Sequence, residues 1–349
     1  WAATAMSEGI VFYYCEDLKF TNNRVDLTYN NFTTAYGYDS LYAVSVRSDA
    51  YTFGEVQSKH VMIADNEINI DGHSATYAVY VCADDFSVLF NNITSTSETY
   101  LAHGIDVDGP CAEGLVAGND IVARAPLATY GIYSYQYMGA IENVSYPANT
   151  IDVTGYASAG MEIVECNPEI IGNVITADGN YTYGIIANIM DEGVISKNEI
   201  AVLGSNMGSD ATGDSLMSKN SMAISVKGSS TISDNTLEST DIGINLFEDG
   251  KITVDNNTIN VKSNTEDIDN HAVFADTVDY LVFTNNEVNY AGATTPKGEY
   301  KAAKAYAMYV VNSEVNVENN TFFIVVPSIL SDWESVGDDW IRHSYTEGI

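Results

Sequence analysis

Residues 63–81 read IADNEINIDGHSATYAVYV, and this stretch contains both units from which the chain is built. The first is an asparagine, Asn66, followed by the alternating run Glu67–Ile70; the second is the five-residue run YAVYV that opens at Tyr77. Alternation with period two marks β-strand, because successive side chains leave a strand on opposite faces. Neither run is long enough to bury its apolar face alone.

Both units recur along the chain. The five-residue run returns as YAVSV (Tyr42), HGIDV (His103), YGIYS (Tyr130), AGMEI (Ala159), YGIIA (Tyr183), MAISV (Met222), IGINL (Ile242), HAVFA (His271) and YAMYV (Tyr306). With Tyr77 that makes ten copies, separated by 35, 26, 27, 29, 24, 39, 20, 29 and 35 residues. Asparagine units lie between them at Asn23, Asn66, Asn92, Asn119, Asn173, Asn198, Asn235, Asn257, Asn286 and Asn320. A repeat of this length in which each unit needs a neighbour to cover it is the signature of a solenoid. The spacing predicts an all-β chain, a right-handed parallel β-helix of about eleven coils spanning residues 1–349 as one domain, with at least two strands per coil. At ~4.8 Å per coil the rod is ~50 Å long, and the hand follows from the handedness of parallel crossovers. Steps of 20 and 24 residues are too short for the four strands of a propeller blade.

Within the five-residue run the second position is Gly or Ala in every copy, and the odd positions are expected to face the core. The fourth position is then expected to point outward, beside the row of small second positions, as a shallow groove flanked by rings and acids. The asparagines suit tight turns, because Asn tolerates left-handed backbone angles, and stacked Asn side chains satisfy backbone amides in a ladder. The ends carry related sequence, Ser7-Glu8-Gly9-Ile10 and Thr346-Glu347-Gly348-Ile349, and neither reads as a polar cap. The expectation is a segment of a longer rod.

Composition narrows the partners. There are 48 acidic against 14 basic residues, a formal charge of -34, so the chain repels nucleic-acid phosphates and anionic membrane surfaces. No stretch approaches the ~18 apolar residues of a membrane span, and any export signal or anchor is expected outside the segment. Tyr is frequent, with 24 residues, and Pro scarce, with 6, which suits half-buried strands. Cys15, Cys82, Cys111 and Cys166 form no metal-binding pair; Cys82 and Cys111 follow consecutive copies at offsets that allow a disulfide. Sequons at Asn31, Asn92, Asn143, Asn180, Asn256 and Asn319 fit a surface protein.

Coils that pair an asparagine strand with a [Tyr/His]-Gly/Ala strand, over about residues 8–326, resemble the adhesin-like surface proteins of methanogenic archaea and, more broadly, pectate-lyase-type β-helix proteins. The resemblance implies an extracellular, cell-surface location and the β-helix fold. It specifies activity only weakly, since the same rod serves adhesins, tailspikes and polysaccharide-cleaving enzymes.

Three kinds of chemistry are candidates. Asp84-Asp85, His103-Gly104 and the upstream Asp71 resemble the acid–base set of polygalacturonases, in which paired carboxylates cleave a glycoside. The family's Arg-x-Lys is missing, its Asn-x-Asp is met only by Asn69-Ile70-Asp71 at unsuitable spacing, and His103 stands where five other copies have Tyr. Asp106 and Asp108, like Asp267 and Asp269, offer oxygen ligands at spacing two, as Ca²⁺ sites do. Finally, the fourth positions Tyr80, Asp106, Tyr133 and Glu162 place rings and carboxylates in successive copies, the groups that stack on and hydrogen-bond to sugars. The expected function is a non-enzymatic adhesive or structural rod, presenting a glycan- or surface-binding face or assembling into a filament, with no cofactor beyond Ca²⁺. The alternative is a polysaccharide hydrolase, lyase or tailspike-type depolymerase.

Overall fold

The computed structural model describes residues 6–29, 40–48, 58–137, 139–204, 221–248, 250–262, 270–291, 304–325, 335–336, 339–340 and 345–347. Among the described residues there is no helix, and the strands form long parallel ladders. One coil shows the plan. A short strand, Val61–Ala64, turns at Asp65 into the asparagine strand Glu67–Gly72, which leads to the motif strand Ala75–Cys82. The chain then rounds a corner at Ala83 and Asp84 and enters the next short strand, Asp85–Leu89. Each coil thus has three strands, one more than the two that the sequence marks.

The short strands form their own 11-stranded sheet. The asparagine and motif sheets run into each other where Thr150–Glu165 and Val174–Ile189 pass through the intervening corner as single strands of 16 residues. Pairing is parallel throughout except for Ser335–Val336 with Asp339–Trp340. The motif at the far end of the chain is realised as well: Tyr345–Glu347 adds to Lys304–Val311, with Glu347 opposite Tyr306, as Glu8 lies opposite Tyr42.

Stacking puts like on like inside the rod. Ile68, Ile93, Ile121, Ile151, Ile175 and Ile200 are partners in successive asparagine strands and are buried to 1% exposure or less. A fully buried Ile contributes roughly 1.5–3 kcal/mol, so each coil is held chiefly by its neighbours, as expected for a solenoid.

The turn into each asparagine strand is the most regular part of the molecule. It is made by a left-handed residue: Asn22, Asp65, Phe90, Gly118, Ala148, Gly172, Lys197, Asp234, Asn256, Asn285 or Asn319. The asparagine that follows joins a continuous ladder and, from Asn66 to Asn286, is sealed inside. Asn91, for example, donates from its backbone N–H and from Nδ2 to Oδ1 of Asn119, 3.0 Å in both cases, and from Nδ2 to the Ile63 carbonyl in the coil on its other side at 2.9 Å. The pattern repeats through Asn119, Asn149, Asn173, Asn198, Asn235, Asn257 and Asn286. The ladder residue is Asn91 and not Asn92, which is exposed at the start of its strand, and Asn149 belongs to the series.

The motif strand also departs from simple alternation. Its ladder omits the second position, pairing His103 with Tyr130 and then Ile105 with Ile132. Second and third positions both enter the core, as Ala78 and Val79 do at 0% exposure. The first position is displaced outward onto the same face as the fourth, where Tyr130 and Tyr133 rings lie 5.1 Å apart. The small row is therefore not the floor of an outer groove. A Cβ on Gly131 would come within 2.3 Å of the Ile151 Cγ2 and 2.6 Å of the Gly160 carbonyl oxygen, so smallness here serves inner packing.

The cysteines are free thiols: Cys82 donates to the Gly109 carbonyl at 3.2 Å, and no Cys82–Cys111 disulfide is formed. Among the sequons Asn92, Asn143, Asn256 and Asn319 are exposed and Asn180 is half-buried, while Asn31 lies outside the described residues.

Candidate functional site

First and fourth positions of the motif strands make two adjacent columns on the outside of the rod. In the fourth column Tyr80, Asp106, Tyr133 and Glu162 are partners on four successive coils, one residue per coil. In the first column Tyr42, Tyr77, His103, Tyr130 and Ala159 stand beside them. The register thus brings all four predicted glycan-contact residues into one line.

The columns touch each other closely. Tyr42 and Tyr77 stack at 4.5 Å, and His103 lies 4.7 Å from both Tyr77 and Tyr130 and 5.3 Å from Tyr133. Tyr135 stacks on Tyr133 at 6.0 Å with an interplanar angle of 11°. Tyr135 and Tyr137 are 46% and 68% exposed, so the aromatic surface continues into solvent at this point. These two rings follow Tyr133 at alternate positions in the run YSYQY, a spacing that does announce a shared face.

The acids differ in how they are held. His103 Nδ1 and Asp106 Oδ1 are 2.6 Å apart, and both residues are buried. Asp108 accepts from the Tyr80 hydroxyl at 3.0 Å and from the Tyr137 backbone N–H at 3.1 Å. The two Ca²⁺ candidates, Asp106 and Asp108, are thus each engaged by donors of the protein itself; Asp267 and Asp269 lie outside the described residues. Glu162 is half-buried, and its Oε2 is sealed from solvent without a hydrogen-bond partner. Burial pushes the Glu162 carboxyl up, with His103 pulling the other way. Burial, followed by the Glu162 charge, also holds the Tyr133 phenol well above its ordinary range and lifts that of Tyr130 to about 12.

At the other end of this face the chain contributes a cation. The Arg47 guanidinium lies 4.8 Å above the rings of both Tyr42 and Tyr80, while its Nε donates to Glu8 Oε1 at 2.7 Å. Neither Arg47 nor Glu8 falls within the five-residue repeat as read from the sequence. Further along, the same columns turn apolar: Tyr183, Ile186, Met222 and Ile242 pack into a separate buried cluster with Ala159.

Asp84 and Asp85 are elsewhere. They sit past the corner at the end of the preceding motif strand, next to Ala112 and Glu113, whereas His103 is level with Tyr77 near the start of that strand. Asp84 Oδ2 pairs with Lys59 Nζ at 3.3 Å, and Asp85 Oδ2 lies 3.8 Å from His60 Nε2. The fold does not bring this carboxylate pair to His103. Asp71, on the asparagine strand, is exposed and accepts from Thr96 Oγ1 at 3.0 Å. A groove of about 760 Å³, lined in part by Leu203, Val261, Tyr290 and Phe323, lies on the asparagine sheet and not on these columns. Among the described residues no cluster of three His, Cys, Asp or Glu side chains is arranged to hold a metal ion. No family model, curated protein or solved structure matches the chain.

Proposed function

We propose that the chain is a non-enzymatic structural and adhesive rod of a cell surface, related to the adhesin-like proteins of methanogenic archaea, whose motif-sheet columns bind glycan. The single observation that carries this reading is the line Tyr80–Asp106–Tyr133–Glu162. Rings and carboxylates alternate there at ~4.8 Å steps, with exposed Tyr135 and Tyr137 alongside. Sugar rings lie on aromatic faces, and carboxylates accept their hydroxyls. A rigid backbone presents such a line with little entropy lost on binding. The separation of Asp84 and Asp85 from His103 weighs against glycoside cleavage through that set, which needs both carboxylates about the scissile bond.

The test is a glycan array on the full chain beside its Tyr133→Ala and Tyr80→Ala variants, with light scattering to follow self-association. The expected result is binding by the parent, reduced at least about tenfold by either substitution, equivalent to ~1.4 kcal/mol. Absence of glycan binding and of self-association by the parent, or glycan cleavage abolished by Asp85→Asn, contradicts the reading.

A further inference from the structure

The outer columns bring tyrosine rings and a carboxylate together twice, with the carboxylate bonded to a guanidinium in one set and with one of its oxygens lacking a hydrogen-bond partner in the other. In the first set two tyrosine rings, Tyr42 and Tyr80, and one carboxylate, Glu8, surround the Arg47 guanidinium at 4.8, 4.8 and 2.7 Å. In the second set two tyrosine rings, Tyr130 and Tyr133, lie 5.1 Å apart, and the carboxylate of Glu162 extends from the next coil, where it is partner to Tyr133. The first column offers Ala159 at that coil, and Tyr183 follows on the next one. His103 lies against the rings of Tyr130 and Tyr133 at 4.7 and 5.3 Å, and its Nδ1 is committed to Asp106 at 2.6 Å. Glu162 Oε2 is sealed from solvent without a hydrogen-bond partner, which leaves the Oε1 edge of this half-buried carboxylate to meet a ligand.

A buried carboxylate short of donors is costly, and a cation over tyrosine rings is stabilised by their faces. A ligand that carries its own ammonium supplies a donor to the open edge of this carboxylate and a cation to the rings. The overall charge of -34 draws such a ligand in. Tyr133 and Tyr135, stacked at 11° and reaching solvent through the 46% exposed Tyr135, provide an apolar platform next to the acid. That is the shape of a sugar ring with an amine, rather than of an amine alone.

Resting on the adhesive-face reading, we propose that Tyr130, Tyr133, Tyr135 and Glu162 form a site for a cationic amino sugar: the pyranose ring lies on Tyr133 and Tyr135, and its ammonium bonds to Glu162, as Arg47 does to Glu8. Acetylating the amine removes both the charge and the donor count the site uses. The preference is therefore for free amines over N-acetylated or neutral sugars. Because Glu162 must be ionised to hold an ammonium, affinity weakens as the pH falls through the raised range of that carboxyl. His103 and Asp106 flank the site from the preceding coil and Tyr183 from the following one, and Glu162→Gln separates the contribution of Glu162 from theirs.

The experiment is calorimetric titration of the full chain at pH 6 and low salt with three probes: a glucosamine hexamer, an N-acetylglucosamine hexamer and a glucose hexamer. The glucosamine hexamer is expected to bind about tenfold or more tightly than either of the others, a ratio worth ~1.4 kcal/mol. Glu162→Gln abolishes this ratio, and Tyr135→Ala, an exposed change that leaves folding intact, weakens the glucosamine hexamer as well. Equal affinity for the three hexamers, or a ratio that Glu162→Gln leaves unchanged, overturns the amino-sugar site while leaving the adhesive face in place. Failure of all three hexamers, together with a blank array, overturns both. Binding of a lysine-rich peptide, lost in Glu162→Gln, with no glucosamine binding also overturns the assignment to a sugar.

Discussion

The asparagine turn and the outer columns of the motif strand sit on the same coils yet follow opposite rules. At the turn a left-handed residue and a ladder asparagine return on each of eleven coils, from Asn22-Asn23 to Asn319-Asn320, and the asparagine is buried from Asn66 to Asn286. On the outer columns the residue changes at nearly each step, from Tyr80 to Asp106 to Tyr133 to Glu162 to Ile186. A position that repeats without change is answering to the coil above and below it. A position that varies while its backbone stays in register is free of that demand, and there the chain places its rings and acids.

The largest effect that separates the two regions is expected from Asn149→Ala. Asn149 accepts both donors of Asn119 at 3.0 Å and donates to the Val116 carbonyl at 2.8 Å and to Asn173. Its removal orphans buried groups on both neighbouring coils, each worth ~1–3 kcal/mol. A total loss of roughly 3 kcal/mol or more is expected by denaturant unfolding. Asn320→Ala, at a part-exposed end of the ladder, is expected to cost no more than about half as much, and Tyr133→Ala on the outer column less than about 1.5 kcal/mol beyond its lost ring contacts. Comparable losses at Asn149 and Asn320 would mean that the ladder is not a cooperative chain.

A smaller, pH-dependent effect sharpens the comparison from inside the rod. Glu165, at the end of the motif strand that carries Glu162, is fully buried, with Oε1 accepting from Ser134 Oγ at 2.7 Å and from the Tyr146 hydroxyl. Burial pushes its carboxyl up to about 8 from an ordinary 4.5. Between those values the folded chain keeps the proton and the unfolded chain has released it. Stability therefore falls as pH rises through this window, by about 1.4 kcal/mol per pH unit at most, and levels off above it. His271, held down to about 4 from 6.5 by burial, acts with opposite sign below 6.5. Asp241, raised to about 6 by burial, has finished titrating by then. The clear interval for Glu165 is therefore pH 6.5 to 8, where Glu165→Gln is expected to flatten the decline in melting temperature. An unchanged slope there contradicts the assignment.

Much of this was legible in the residues themselves because the same constraint recurs. Asn66, Asn119 and Asn198 sit before alternating runs, and a stack of coils is the arrangement that covers each run. Asn91 and Asn92 are a different case: both are asparagine, and only the left-handed turn at Phe90 decides that the first one enters the ladder. Asn149 heads the alternating run TIDV much as Asn257 heads TINV, so the sequence does carry the signal that places it in the series. The fourth column was legible because its register is set by the motif, but the first column was inverted. A skipped position in the ladder turns Tyr130 outward, and strand periodicity carries no sign of such a skip. The Arg47–Glu8 pair and the Glu165–Tyr146 contact join residues 39 and 19 positions apart, beyond the reach of local pattern.

The central claim, that coils stack in parallel and in register, is tested most directly by spin-label distances along one exposed column. Glu67, Glu199 and Glu287 are exposed and share a column through the chain of partners Glu67–Asn92–Asp120–Thr150–Val174–Glu199–Thr236–Thr258–Glu287. In a background with its four cysteines replaced, labels at 67 and 199 are expected ~24 Å apart and labels at 67 and 287 ~38 Å apart, one strand spacing of ~4.8 Å per coil. Distances that do not grow with coil number in this proportion would contradict the stacked arrangement.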